Sequence, residues 1–331
     1  MNMRGFSDIL GNETTVKSLQ NAIAFGRVPN SAAFCGGRGS GKKTLAYAYA
    51  KVLLCENSGG SPDACGVCYS CHAFDGGNHP NLMVIRPEGA KSVGVEAVRN
   101  AVRDVSLRPL KSARKAYIFE DAETMTAAAQ NALLKSLEQP PAYAVFILLS
   151  RSAEALLPTV RSRCALYKTQ PLSEASVRKR LAELGVAENE AALYAAYSRG
   201  SVGRALELSR DAVFQDMSRR IPEMIAGLAE ADLAQAFALA KDFEAWKDRA
   251  QEALSIAAMW YRDVLAYKAR GDSVLTDGSA DTPEARARGQ GTDSLIAQLC
   301  AVEQAEARLR SNANFQLTME MMFLNLIQAA G

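Results

Sequence analysis

An apolar run at residues 32–35 opens directly into Gly36-Gly37-Arg38-Gly39-Ser40-Gly41-Lys42-Lys43-Thr44, and a helical pattern follows to Leu54. Strand, glycine-rich loop, helix is the setting in which backbone N–H groups can cradle a phosphate. It commits the first half of the chain to alternating strands and helices. Further strands are expected at 82–86, 116–120, 145–150 and 166–169, and helices at 12–26, 95–106 and 127–138. Pro140-Pro141 stops the last of these helices. Such alternation implies a mostly parallel sheet covered on both faces.

After Pro171 the strand signals stop. Short helices are expected at 173–184, 190–198 and 202–209, with Ser173 as an N-cap and Gly185 and Gly200 as stops. From 214 onward only long helices are expected, among them 233–245, 249–268 and 295–310; a polar stretch at 271–291 reads as an exposed connection. The fold class is therefore α/β followed by all-α. With 48% apolar and 22% charged residues, the bulk of the chain can build cores, which excludes disordered and collagen-like classes. A formal charge of +2 gives no support to a whole-molecule DNA clamp. The longest apolar run, 142–149, is far short of the ~20 residues that span a bilayer. Residues 1–10 contain no secretion signal, so a cytoplasmic location is expected.

Cys55, Cys65, Cys68 and Cys71 follow a C-x9-C-x2-C-x2-C pattern inside a Gly/Ser-rich segment, 57–77, with little periodicity of its own. Four thiolates suit a closed tetrahedral Zn²⁺ site, and an iron–sulfur cluster is the competing occupant. His72 and His79 lie close by in the sequence; His72 is expected to face solvent or to support the site from outside.

The loop departs from a nucleotide-hydrolysing pattern at one residue. Gly36, Gly39, Gly41 and Lys42 match, but the next position, which needs a Ser or Thr hydroxyl for Mg²⁺, is Lys43. Thr44 comes one residue later, rotated by about 100° around the helix. At the end of the 116–120 strand the acids are Glu120 and then Asp121, one methylene too long and one too short for Mg²⁺ ligand and water-orienting acid. Displacements of about an ångström can cost ~100-fold in rate. Magnesium-dependent turnover is disfavoured, and weak or absent ATP binding is expected. The plain alternative makes Glu120 and Asp121 surface acids.

These motifs resemble the clamp-loader subunits of bacterial DNA polymerase III, in the AAA+ ATPase superfamily, and among them the delta-prime group of Gram-positive type. The resemblance rests on the loop, the four cysteines, Asn78-His79-Pro80-Asn81-Leu82, the run Asn131-Ala132-Leu133-Leu134-Lys135-Ser136-Leu137-Glu138-Gln139-Pro140, and Ser162-Arg163-Cys164. It implies a RecA-like domain at 1–169 with a zinc-binding insert at 55–71, a helical lid at 170–211 and a helical collar at 212–331. It also implies that Arg163, within its Ser162–Cys164 motif, is an arginine finger acting in trans on a neighbouring subunit's ATP. In motor subunits of this family the lid carries a second arginine in a Gly-Ser-x-Arg context; here Gly203 holds that place and Arg204 follows it. Lys43, the Glu120–Asp121 swap and Gly203 favour a non-hydrolysing subunit over the ATP-hydrolysing gamma/tau type, which is the alternative.

The implied partners are gamma/tau and delta subunits in a hetero-pentameric ring in the nucleoid-associated replisome. The ring would engage the sliding clamp and primer–template DNA, without a membrane. An unrelated zinc-dependent interaction module with a vestigial loop is the remaining alternative. Two surface readings stay open. Arg108, Lys111, Arg114 and Lys115 form a basic run that reads as DNA contact or solvated loop. The apolar residues Phe315, Leu317, Met319, Met321, Met322, Phe323 and Leu324 read as collar interface or, for most of them, as the collar's own core.

Overall fold

The computed structural model describes residues 5–87, 92–230, 233–270 and 289–330. Most of the polar stretch expected at 271–291 lies outside the described residues. The chain divides into two compact units, Met1–Ser176 and Val177–Gly331.

The first unit is a five-stranded parallel sheet. Its elements run α1 (Glu13–Ala24), β1 (Ser31–Cys35), α2 (Lys42–Leu54), α3 (Tyr69–Asp75), β2 (Leu82–Ile85), α4 (Val95–Val105), β3 (Lys115–Phe119), α5 (Ala127–Glu138), β4 (Ala144–Ser150), α6 (Pro158–Arg161) and β5 (Ala165–Lys168). The strand order is β2-β3-β4-β1-β5, and every pairing is parallel, as the alternation of strands and helices implies. β1, β3 and β4 are buried along their whole length, because helices cover both faces. Their side chains alternate between two cores. Phe34, Ile118 and Ile147 pack with Leu45 and Tyr49 of α2, while Tyr117, Phe119 and Phe146 pack with Val98 of α4 and Leu133 of α5. β5 is an edge strand, and Leu166 on it is exposed.

The segment at 57–77 contains one helix, α3, that hydrophobic periodicity does not reveal. Its start is set by Cys68, whose sulfur accepts the Cys71 amide, and not by an ordinary cap. Lys51 of α2, 3% exposed, pairs with Asp75 at the end of α3 at 2.7 Å and ties the insert to the sheet domain. A buried pair of this kind is strongly disfavoured from losing one partner.

The second unit is helical: Glu188–Tyr197, Val202–Leu208, Ala212–Ala226, Leu233–Asp242, Ala250–Arg270, Thr292–Arg310 and Phe315–Ala330 follow the helix Glu174–Glu183. Ser173 caps that first helix, its hydroxyl accepting the Ser176 amide at 3.2 Å. Gly185 and Gly200, at φ +86° and +80°, end the helices before them, as expected of left-handed stops. The helix expected at 233–245 ends earlier, at Asp242, and tightens into a 3₁₀ segment, Phe243–Arg249. Met319, Met322 and Phe323 are core, whereas Leu317 and Met321 are exposed on the same helix. Among the described residues no helix is long and apolar enough to cross a membrane.

Candidate functional site

The glycine loop joins β1 to α2. Gly39 and Gly41 adopt φ of +82° and +79°, which a side chain would strain. Gly36 is demanded by proximity instead, since a Cβ there would lie 2.2 Å from Thr169 Oγ1. Ser40 Oγ and Thr169 Oγ1 share a hydrogen bond at 2.8 Å, and Asn12 Nδ2 donates to the Ser40 carbonyl at 3.1 Å. Hence the loop is stitched to the end of β5. Lys42 folds back and donates to the carbonyls of Gly36 and Gly37 at 3.1 and 3.2 Å. Burial pushes its ammonium below the ordinary lysine value. Thr44 is partly buried in the first turn of α2.

Lys43 and Glu120, the residues at which the sequence departs from a hydrolysing pattern, contact each other. Lys43 Nζ lies 2.9 Å from Glu120 Oε2, and Arg86 Nε approaches the same oxygen at 3.3 Å. Tyr47 donates its hydroxyl to Glu120 Oε1 at 2.7 Å. Both carboxylate oxygens are thereby engaged. Burial alone would raise the Glu120 carboxyl; the hydrogen bonds from Tyr47 and Lys43, with the charges of Lys43 and Arg86, outweigh it and hold the group below the usual range. Tyr47 is pushed up to about 12, by burial and then by its bond to Glu120. The surface-acid reading therefore fails for Glu120, which is 8% exposed, and holds for Asp121, which turns out to solvent at φ +47°.

Cys55, Cys65, Cys68 and Cys71 converge, their sulfurs all within 4.8 Å of one another. The Cys55–Cys68 and Cys65–Cys71 separations are 4.0 and 3.9 Å. A tetrahedron of Zn–S bonds near 2.3 Å has edges of about 3.8 Å, so the four donors could hold zinc with little rearrangement. The amides of Cys65 and Cys71 point at the sulfurs of Cys55 and Cys68, at 3.3 and 3.4 Å, the support that thiolate centres require. His72 is exposed and outside the cluster. His79 is buried, its Nδ1 accepting the Asn81 amide at 3.0 Å.

Ser162, Arg163 and Cys164 lie between α6 and the edge strand β5. The Arg163 guanidinium is bound within its own chain: Nη2 to Glu138 Oε1 at 2.7 Å, and Nη1 to the Thr159 carbonyl at 2.8 Å and Ser162 Oγ at 3.2 Å. Cys164 packs against the second core, and burial pushes its thiol up to about 12, which removes it from thiolate chemistry. In the helical unit Arg204 pairs with Glu252 and Glu207. A Cβ at Gly203 would meet only Ser201 Oγ, at 4.0 Å, so packing does not require glycine there.

The basic run divides. Lys115 is buried and bonds the Asp104 carboxylate at 2.7 Å and two carbonyls, so it is a structural clamp and belongs to neither surface reading. Lys111 sits 4.9 Å from the Tyr69 ring centroid, Arg108 is exposed and Arg114 is partly buried. Tyr47 and Arg86 carry no signal in the sequence, and the pairing of Glu138 with Arg163 carries none either, because their partners lie far away in the chain.

A family model described as DNA polymerase III, delta subunit, matches residues 11–173. The DNA polymerase III subunit delta' of Bacillus subtilis is 31% identical over 316 residues, 94% of each chain. The delta' subunit of Escherichia coli is 34% identical over 193 residues, 56% of this chain and 58% of its own. The tau subunit of Escherichia coli is 31% identical over 214 residues, which are 63% of this chain and 33% of its own. Near-complete mutual coverage distinguishes the first of these from the tau match, and this chain belongs to the delta' family of DNA polymerase III subunits.

Proposed function

We propose that the chain is a non-catalytic clamp-loader subunit of DNA polymerase III that supplies Arg163 to the ATP site of a neighbouring subunit. The observation that carries this reading is the Lys43–Glu120 contact of 2.9 Å. A hydrolysing site needs a hydroxyl and a carboxylate free to hold Mg²⁺ and a nucleotide's phosphates. Here an ammonium replaces the hydroxyl, and the carboxylate is spoken for. The chain's own loop binds nucleotide weakly or not at all and does not turn it over.

Arg163 fits the opposite role. It lies beside an edge strand, on a half-exposed side chain, where an adjacent subunit's triphosphate could reach it. A guanidinium supplied in trans can accelerate phosphoryl transfer by ~10³–10⁵. The proposed domains are a RecA-like domain at 1–169, a lid at 170–211 and a collar at 212–331. The exposed apolar residues Leu317 and Met321 suit packing against other collars in a ring with gamma/tau-type motors and a delta subunit. That ring would open a sliding clamp and place it on primer–template DNA in the cytoplasm. Zn²⁺ held by the four cysteines would be structural, leaving no open coordination position.

Purified full-length chain, assayed with ATP and Mg²⁺, tests the reading. No turnover alone, with stable association on mixing with gamma/tau-type and delta-type subunits, supports it. Rapid turnover by the isolated chain would favour the gamma/tau-type alternative, and failure to associate would count against any loader role.

A further inference from the structure

We propose that Glu138 is a positioning residue that sheathes Arg163 in the resting subunit and yields it when a neighbouring triphosphate arrives. The inference rests on the trans-finger reading above. Glu138 is the last residue of α5, at the helix end where unpaired carbonyls disfavour a carboxylate. The Arg163 guanidinium, 2.7 Å away, offsets that penalty. Both terminal nitrogens of Arg163 are occupied in cis, by Glu138, the Thr159 carbonyl and Ser162 Oγ. A finger that donates to phosphate oxygens must free at least one of them.

The sheath is weak enough to be exchanged. The Arg163 and Glu138 side chains are 35% and 48% exposed, and their closest approach is 2.7 Å. Exposed pairs of this kind bias an equilibrium by about two- to fivefold. A triphosphate carries more charge and offers several acceptor oxygens to a guanidinium, so it outcompetes one half-exposed carboxylate. In the absence of nucleotide next door, Glu138 keeps the finger neutralised and in one place. The ligand that displaces it is a nucleoside triphosphate held by the adjacent subunit.

The test is a double-mutant cycle in a loader reassembled from full-length subunits, comparing wild type, Glu138→Gln, Arg163→Ala and the double variant for ATP turnover. The expected result is that Glu138→Gln raises kcat by about two- to fivefold, and that the gain vanishes when Arg163 is alanine. A lower kcat with Glu138→Gln, or the same change with and without Arg163, would overturn the sheath. A silent Arg163→Ala would defeat the finger reading itself. The isolated chain then still decides the pairing through phenylglyoxal modification mapped by mass spectrometry. Faster labelling of Arg163 in Glu138→Gln supports the sheath, and equal rates refute it.

Discussion

Two cation–carboxylate pairs in the sheet domain use the same chemistry in different surroundings. At the glycine loop, Glu120 is nearly buried and takes one hydroxyl and two cations, so neither of its oxygens is spare. At the β5 edge, Glu138 is half-exposed and pairs with the Arg163 guanidinium, 2.7 Å away. Burial and the number of donors separate a permanent arrangement from an exchangeable one. An exposed pair is worth about 0–1 kcal/mol. Removing one member of a buried, hydrogen-bonded group costs more, because its partners lose their solvation and gain nothing. On the proposed reading, the first pair closes the chain's own metal position and the second leaves Arg163 exchangeable.

Four variants sharpen this contrast. The largest expected effect lies outside both pairs and sets the scale for a true folding defect. Cys68→Ser should lose the metal and several kcal/mol of stability in the insert, because the binding free energy of a structural zinc is also folding free energy. Elemental analysis that finds one zinc in both forms would contradict it. Next comes Arg163→Ala, which should lower turnover at the site it serves by about 10³-fold. Its thermal unfolding should stay close to wild type, since the side chain contributes one exposed pair and two exposed hydrogen bonds. Turnover in the reassembled loader, read beside a melting curve, checks both halves.

Glu120→Gln should cost about 1–3 kcal/mol in chemical denaturation at neutral pH. Its pH dependence has a definite sign. The Glu120 carboxyl is held below its unfolded value, so its stabilisation is fully present above the unfolded pKa, near 4.3, and is lost as pH falls through the lower folded value. The stability gap between wild type and Glu120→Gln should therefore begin to narrow below about pH 4. A gap that persists unchanged at pH 3 would show that the charge is not what stabilises the cluster. The smallest effect is expected from Gly203→Arg. A Cβ at that position meets nothing closer than 4.0 Å, so stability should change by no more than about 0.5 kcal/mol. A large drop in melting temperature would mean that the glycine serves the packing after all.

Much of this organisation is legible in the residues themselves. The strands of the sheet are apolar runs bounded by polar or proline-containing turns, and four of the helices around them fall within a few residues of their periodic patterns, because both signals are local. Lys43 is legible as a foreign cation because the loop pattern fixes its place. What that cation touches is not legible. Tyr47 is one helical turn from Lys43, but Glu120 and Arg86 arrive from the ends of β3 and β2, and only the parallel pairing of those strands brings them together. Glu138 and Arg163 meet because α5 packs on α6, from which β4 separates it in the chain. The helix α3 escaped because its start depends on sulfur–amide contacts instead of apolar periodicity. Lys115 looked like part of a basic surface because sequence proximity to Lys111 and Arg114 says nothing about the Asp104 carboxylate beneath it.

The most direct measurement is the magnesium dependence of ATP binding by the isolated chain and by Lys43→Thr/Glu120→Asp, followed by calorimetric titration with and without EDTA. Wild type should show no magnesium-dependent affinity, and the double variant should gain at least about tenfold in magnesium's presence. Tight, magnesium-dependent binding by wild type, or a double variant indistinguishable from it, would show that Lys43 does not occupy the metal's place.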